Sequence, residues 1–546
     1  MQIVVPMSGI GKRFRDAGYT TPKYLIEVEG KKIIEHIISL FPGEENFIFI
    51  CNQEDVNKTS IKEILKLNAP KHQLKIIKSH KKGPVFAVKQ IFDEINDEDE
   101  VIVNYCDFGT YWDYNDFLKH TRDRDADGAV VAYKGFHPHM IKSPNYAFIK
   151  DKNQWLLDIK EKEPFTDNKM NEYASNGTYY FKRGKDVKKY FDQLMDQDLN
   201  VNGEYYVSMV YKLMAEDTRK VSVYKIQHML QWGTPEDLED YLKWSEIFAD
   251  LNKTKHFNKI ENCVKIIPAA GEGKRFYDEN YDLPKPLIDV SGYPMVLQAS
   301  KSLPECEENC LILRSEHIKD YELKEFYDFE IIKLDKLTEG QAITCSIGLE
   351  KYDSKKSCLI ASCDNIILFD QSKLEFLLHE KNADCIVFTS KPNNKALSSP
   401  EMFGWVNSSD KGEIFEVKVK EELSSNHEKG LVILGIFYFK NIELYSKILQ
   451  ELIKNKIKVN NEYYIDSMAL FLVNQNMNIY SLEINNHISL GTPDEYKTFT
   501  YWQSYFNKNT NHPYKFENDI FFNKKKKDEF LDREKSFKQD HIGVMD

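Results

Sequence analysis

Apolar positions along the chain fall into two alternating periods. Runs such as Ile3-Val4-Val5, Phe47-Ile48-Phe49-Ile50 and Val101-Ile102-Val103 are short and uniformly apolar, which predicts buried strands. Between them, Ile33-Ile34, Ile37-Ile38 and Leu40-Phe41 recur at helical spacing, and helices are expected over 61–67 and 85–95, with a strand over 74–77. The order then recurs. Strands are expected over 264–267, 310–313, 330–332 and 358–361, and helices over 295–303, 318–326 and 342–349. Strands alternating with helices imply βαβ units and a mainly parallel sheet covered on both faces. The chain is read as two α/β domains in tandem, 1–250 and 263–507, joined by a polar linker over 251–262 and followed by a charged, partly disordered tail over 508–546.

The glycine motif that follows the first strand is also written twice. Pro6-Met7-Ser8-Gly9-Ile10-Gly11-Lys12-Arg13-Phe14, continued by Thr21-Pro22-Lys23, returns as Pro268-Ala269-Ala270-Gly271-Glu272-Gly273-Lys274-Arg275-Phe276, continued by Leu283-Pro284-Lys285. Gly9 to Gly271 and Lys23 to Lys285 span the same interval. A strand, a glycine turn, two cations and a distant Pro-Lys suit an anion, because glycines let backbone N–H groups come close and the cations neutralise what those dipoles cannot. The phenylalanine at the third glycine position excludes the dinucleotide fingerprint, and no Gly-Lys-Ser/Thr of a P-loop occurs. Further pairs keep the order: Asp107 with Asp364 after a strand, Lys162 with Lys420, Gly177 with Gly435, Glu204-Tyr205-Tyr206 with Glu462-Tyr463-Tyr464, and Gly233-Thr234-Pro235 with Gly491-Thr492-Pro493.

Composition narrows the classes. At 546 residues the chain exceeds one core, and a net charge of −12 argues against a nucleic-acid backbone as partner. The nine cysteines lack paired metal spacing, Cys306 and Cys310 having no second pair nearby, which points to a reduced intracellular protein. No basic-then-apolar leader and no apolar run near the ~18 residues of a membrane span is present, so a soluble, cytoplasmic protein is expected. His137-Pro138-His139 reads as a turn rather than a metal site, with no third ligand close in sequence.

Each half resembles the sugar-phosphate nucleotidyltransferases, a group related to the cytidylyltransferases of small phosphates such as choline phosphate. The resemblance implies two tandem Rossmann-like (GT-A-like) domains, each transferring NMP from an NTP to a phosphate monoester with release of pyrophosphate. It implies that Gly9, Gly11, Gly271 and Gly273 hold the NTP phosphates, Arg13 and Arg275 the β/γ oxygens, and Lys23 and Lys285 the α-phosphate region. Asp107 and Asp364 would bind Mg²⁺. The turns at Gly83-Pro84 and Gly340-Gln341 would lie against the nucleobase. Lys162 and Lys420 would reach the acceptor phosphate, Gly177 and Gly435 would line the acceptor pocket, and Glu204 and Glu462 would meet its polar groups. Such enzymes commonly serve surface polysaccharide or lipid assembly.

The copies also depart from that pattern. Where relatives carry an aspartate before the terminal Gly-Thr-Pro, this chain has Gln231 and Ser489, so the second metal ligand is open. Pro84 stands opposite Gln341, so the halves are free to differ in substrate, or one to be a binding or regulatory copy. A glycosyltransferase is the alternative enzyme, although Asp107-Phe108-Gly109 and Asp364-Asn365-Ile366 lack its Asp-x-Asp. The base, the acceptor and any homo-oligomer stay open at this stage.

Overall fold

The computed structural model describes all residues except 143–144, 254–257, 319–320, 322, 422, 424–429 and 533–546. The chain forms two compact units. One comprises 1–246, 501–512 and the described residues from Glu529 on, and the other 247–500 and 513–528.

The first unit is built on nine strands: β1 Gln2–Pro6, β2 Phe47–Asn52, β3 Gln73–Ile77, β4 Val101–Asn104, β5 Gly128–Tyr133, β6 Ala147–Lys152, β7 Trp155–Glu161, β8 Tyr173–Phe181 and β9 Val221–Lys225. They lie in the order β3-β2-β1-β4-β8-β5-β9-β7-β6. β1, β2, β3 and β4 are mutually parallel, whereas β8 runs antiparallel between β4 and β5. Ile3, Val4 and Val5 are fully buried on alternating faces of β1, which is why the strand reads as an unbroken apolar run.

The second unit repeats the plan with β10 Ile260–Ala269, β11 Cys306–Arg314, β12 Glu330–Leu334, β13 Ser357–Ile360, β14 Cys385–Ser390, β15 Gly404–Ser408, β16 Ile414–Val419, β17 Leu431–Phe439 and β18 Ile479–Glu483. The path β12-β11-β10-β13-β17-β14-β18 matches the first sheet strand for strand. Along β10, Val264 and Ile266 enter one apolar cluster while Cys263 and Ile267 enter another, so both faces are covered.

Three elements differ from expectation. The helix expected over 85–95 is Gly83–Lys89 followed by a 3-10 turn at Phe92–Glu94, because the chain leaves the helix at Ile91 and buries Ile91 and Ile95. Of the helix expected over 318–326, residues 319–320 and 322 lie outside the described residues, and 3-10 turns Ser315–Ile318 and Leu323–Phe326 flank them. The segment read as a solvated tail is packed through residue 522. Tyr514, Phe516, Phe521 and Phe522 are buried, Phe516 stacks on Phe522 at 4.3 Å, and Tyr514 Oη donates to Asp519 at 2.7 Å. Apolar area from these aromatics outweighs the lysines around them. Within the linker, residues 254–257 lie outside the described residues, and the helix before it runs through Leu251.

Candidate functional site

The carboxyl ends of β1 and β4 set the first site. β1 stops at Pro6, and the loop closes at Gly11, whose left-handed φ of +64° starts the short helix Lys12–Asp16; Gly273 does the same at +63° before Lys274–Asp278. An L side chain is strained there, which accounts for this glycine in both copies. Gly9 and Gly271 need no such freedom, and a Cβ on either would meet nothing within 4 Å. The space they leave is open, and Gly9 lines the cavity beside it.

After β4, a two-stranded antiparallel ribbon of Phe108–Tyr111 against His228–Gln231 pairs Gln231 with Phe108, next to Asp107. The same ribbon in the second half pairs Ser489 with Asn365, next to Asp364. Lys23, on the 3-10 turn after Pro22, bonds Asp107 Oδ2 at 2.5 Å. Burial alone would lower the Lys23 ammonium, but Asp107 more than offsets this and holds it above the ordinary lysine value. Lys285 pairs with Asp364 likewise. Burial opposes the Asp364 charge, yet Lys285 and a 2.5 Å hydrogen bond from Ser362 Oγ hold its carboxyl below the usual range.

The Asn-Gly-Glu-Tyr-Tyr loop is stitched to the turn expected at the base. Tyr205 N donates to Lys82 O at 3.0 Å and Val85 N to Tyr205 O at 3.2 Å. A Cβ at Gly83 would stand 2.7 Å from Tyr205 O, and one at Gly340 would stand 2.6 Å from Tyr463 N. Only glycine permits that approach, and it brings Glu204 and Glu462 to the same end of their units.

All nine first-half candidates, Gly9, Gly11, Arg13, Lys23, Gly83, Asp107, Lys162, Gly177 and Glu204, line one cavity of about 720 Å³. Lys162 holds a left-handed φ of +61° and Lys420 one of +57°. A non-glycine residue held so in both copies stores local strain of the kind found at functional sites. Lys162 Nζ donates to Tyr206 Oη at 2.6 Å, and Tyr206 Oη donates in turn to Glu204. In the second half, Lys420 lies in the fields of Asp466, Arg275 and Glu462, and burial lowers its ammonium below the ordinary value. Gly435 has φ +71° with open space around it, and Gln341 begins the helix Gln341–Leu349 behind the Gly340 turn.

Sequence reasoning missed a half-buried carboxylate in each half. Glu161 ends β7, faces the cavity and accepts from Ser208 Oγ at 2.6 Å; burial raises its carboxyl above the ordinary range. The matching strand position is Val419. There the carboxylate comes from the helix instead, as Asp466, the second residue of Ile465–Asn474, just as Ser208 is the second of Val207–Glu216. Across the hairpin Glu161 faces Ala147 and Val419 faces Gly404. A Cβ at Gly404 would overlap Asp466 Oδ2, so the glycine makes the room. Burial pushes Asp466 up to about 6, with Lys420 pulling it back. The readable signal was the joint exchange of Glu161/Ser208 for Val419/Asp466.

His137 and His139 are buried in and beside the 3-10 turn Pro138–Ile141, where His139 Nε2 bonds Tyr133 Oη at 2.9 Å. Among the described residues no group of three or more His, Cys, Asp and Glu side chains is placed to hold a metal ion. Asp107 and Asp364 are nevertheless hard oxygen donors at the glycine turns, and Mg²⁺ commonly takes only one or two carboxylates beside water and substrate phosphate. The donor set fits that ion.

The sequence model described as nucleotidyl transferase matches residues 4–242 and again 264–502. The chain belongs to the nucleotidyl transferase family. Within that family it is 25% identical over 277 residues to "Putative mannose-1-phosphate guanyltransferase" of Sulfolobus acidocaldarius, covering 50% of this chain and 70% of that protein. It is 26% identical over 232 residues to the bifunctional protein GlmU of Methanococcus vannielii, covering 41% of this chain and half of GlmU. A solved nucleoside-diphosphate-sugar pyrophosphorylase from Vibrio cholerae aligns with 44% of this chain and 99% of its own, at 21% identity and a TM-score of 0.37. No described helix is long and apolar enough to cross a membrane.

Proposed function

We propose that this nucleotidyl transferase family member moves NMP from an NTP to a sugar phosphate or similar small phosphate monoester and releases pyrophosphate. The observation that carries the reading is the gathering of nine candidates, spread along the chain from Gly9 to Glu204, around one cavity. Two polyanions must meet in line, and positioning with fixed positive charge supplies most of what that reaction needs. The Gly9–Gly11 loop and Arg13 hold the β and γ phosphates, leaving pyrophosphate anchored as it departs. Lys23 lies where the α-phosphate comes to rest and stabilises the charge that grows there. Lys162, fixed by Tyr206, presents the acceptor phosphate, while Glu161 and Glu204 bind its hydroxyls. Mg²⁺ held at Asp107 or Asp364 would screen the phosphate charge. The same roles pass to Arg275, Lys285, Lys420, Asp466 and Glu462 in the second half. Mannose 1-phosphate is a first acceptor to try, given the Sulfolobus relative's name, and surface polysaccharide precursors are the expected products.

The test is a pyrophosphate-release screen of the full chain with CTP, UTP, dTTP, GTP and ATP against hexose 1-phosphates and choline phosphate. Pyrophosphate that appears only with an acceptor, and only with a divalent cation, supports the reading. Nucleotide binding without product from any pair refutes it and makes the chain a paired nucleotide-binding protein.

A further inference from the structure

We infer that Glu495 is a second oxygen ligand of the divalent cation in the second half, beside a position where the first half presents the neutral amide of Gln231; this rests on the nucleotidyl-transfer reading. A Cβ on Gly491 would stand 3.3 Å from Asp364 Oδ2, 3.3 Å from Glu495 Oε2 and 3.8 Å from Ser489 Oγ. Three oxygens from three segments thus converge over a Cα that carries no side chain. Ser489 Oγ donates to Glu495 Oε2 at 3.1 Å and so fixes that oxygen on the Asp364 side. The other oxygen faces Lys395 Nζ at 3.3 Å. Lys285, bonded to Asp364, also feels the Glu495 charge.

A plainer role for Glu495 is helix capping. Thr492-Pro493-Asp494-Glu495 fits the capping-box pattern, and Glu495 N donates to Thr492 Oγ1 at 3.3 Å. A box-closing glutamate turns its carboxylate back to the cap residue's N–H, whereas this one is held by Ser489 and Lys395. The first half shows what a capping residue does at that register. Asp237 is one methylene shorter, accepts from Thr234 Oγ1 at 2.7 Å, and gives its other oxygen to Lys142 at 3.2 Å. Over Gly233 the atoms that a Cβ would meet are Asp107 Oδ2 at 3.1 Å and the neutral amide of Gln231 at 3.3 Å. The first half therefore offers one carboxylate at this place and the second half two. Where the first half has Gln231, the second half has the shorter Ser489, and the longer Glu495 would supply the second oxygen from the helix.

Mn²⁺ is a paramagnetic probe for this site, read as loss of the free-ion EPR signal on titration of the full chain. D107N silences the first half and leaves the second as the measured site. In that background E495Q raises the Mn²⁺ Kd by about tenfold or more. E495D, which keeps the charge and the capping ability but not the reach, does the same, and D237N leaves Kd within error. Thermal melts matched to D107N show that the variants are folded. If E495Q and E495D bind Mn²⁺ as D107N does while D364N loses it, Glu495 is a cap and the nucleotidyl-transfer reading survives. If D364N also changes nothing, both fall.

Discussion

The two halves share one sheet order, one glycine turn and one Lys-Asp pair, yet they carry a neighbouring carboxylate on different elements. In the first, a half-buried carboxylate hangs from a strand as Glu161 and bonds a helix serine. In the second it hangs from the helix as Asp466 over a glycine. The difference separates what the chemistry needs from what a particular segment provides. A negative group beside Lys162 and beside Lys420 is kept, while the residue that carries it is not.

The largest break in that comparison comes at the lysines the halves share. K23A with K285A abolishes pyrophosphate release, with each single change costing its own half about 10³-fold; steady-state rates with each NTP assign the nucleotides to the halves, and full activity in the double variant overturns the phosphate roles. Next come the exchanged carboxylates. E161Q lowers kcat/KM for the first half's acceptor by about 10–100-fold and D466N does so for the second, without cross-effect. The D466N loss is greatest at pH 8, where Asp466 is charged, and shrinks as pH falls through about 6. An equal loss at pH 5 and pH 8 removes Asp466 from acceptor binding.

A third contrast is in stability. His137, His139 and His228 are buried neutral in the first unit, with His137 lowered to about 4 by burial. In the second unit, burial and Arg314 lower the less buried His317. A histidine with a depressed folded pKa contributes stability that is present above its unfolded value of about 6.5 and lost as pH falls toward the folded one. By pH 5 the His137 contribution has fallen by about 2 kcal/mol. Calorimetric melts at pH 7.5 and 5 therefore show the first unit's transition moving down more than the second's. The smallest effect is G11A or G273A, each costing about 1–2 kcal/mol because alanine must enter the left-handed region. A melt unchanged by G11A contradicts the turn geometry.

The duplication and most of each site were legible in the chain, because a tight turn, a Pro-Lys step and a strand-end aspartate must recur at fixed spacing for the geometry to recur. Gln231 and Ser489 do sit beside Asp107 and Asp364, as their place before Gly-Thr-Pro suggested. Less visible was what depends on partners distant in sequence. Strand β8 enters antiparallel between parallel neighbours, which no local period announces. The Glu161/Asp466 exchange looks like a loss in one segment and an unrelated gain in another until the hairpin and helix are seen together. The lysine-rich C-terminal stretch hid its packing because composition averages over a few aromatics that dominate buried area.

The bond between Lys23 and Asp107 makes an unloaded pocket electrically self-satisfied. A lone cation arriving at the aspartate, or a lone triphosphate arriving at the lysine, has to strip one partner and strand the other. When both arrive together the ammonium and the carboxylate each exchange one counter-charge for another. On the proposed nucleotidyl-transfer reading, loading would be synergistic, with the nucleotide tightening the hold on metal by the same factor as the metal tightens the hold on nucleotide.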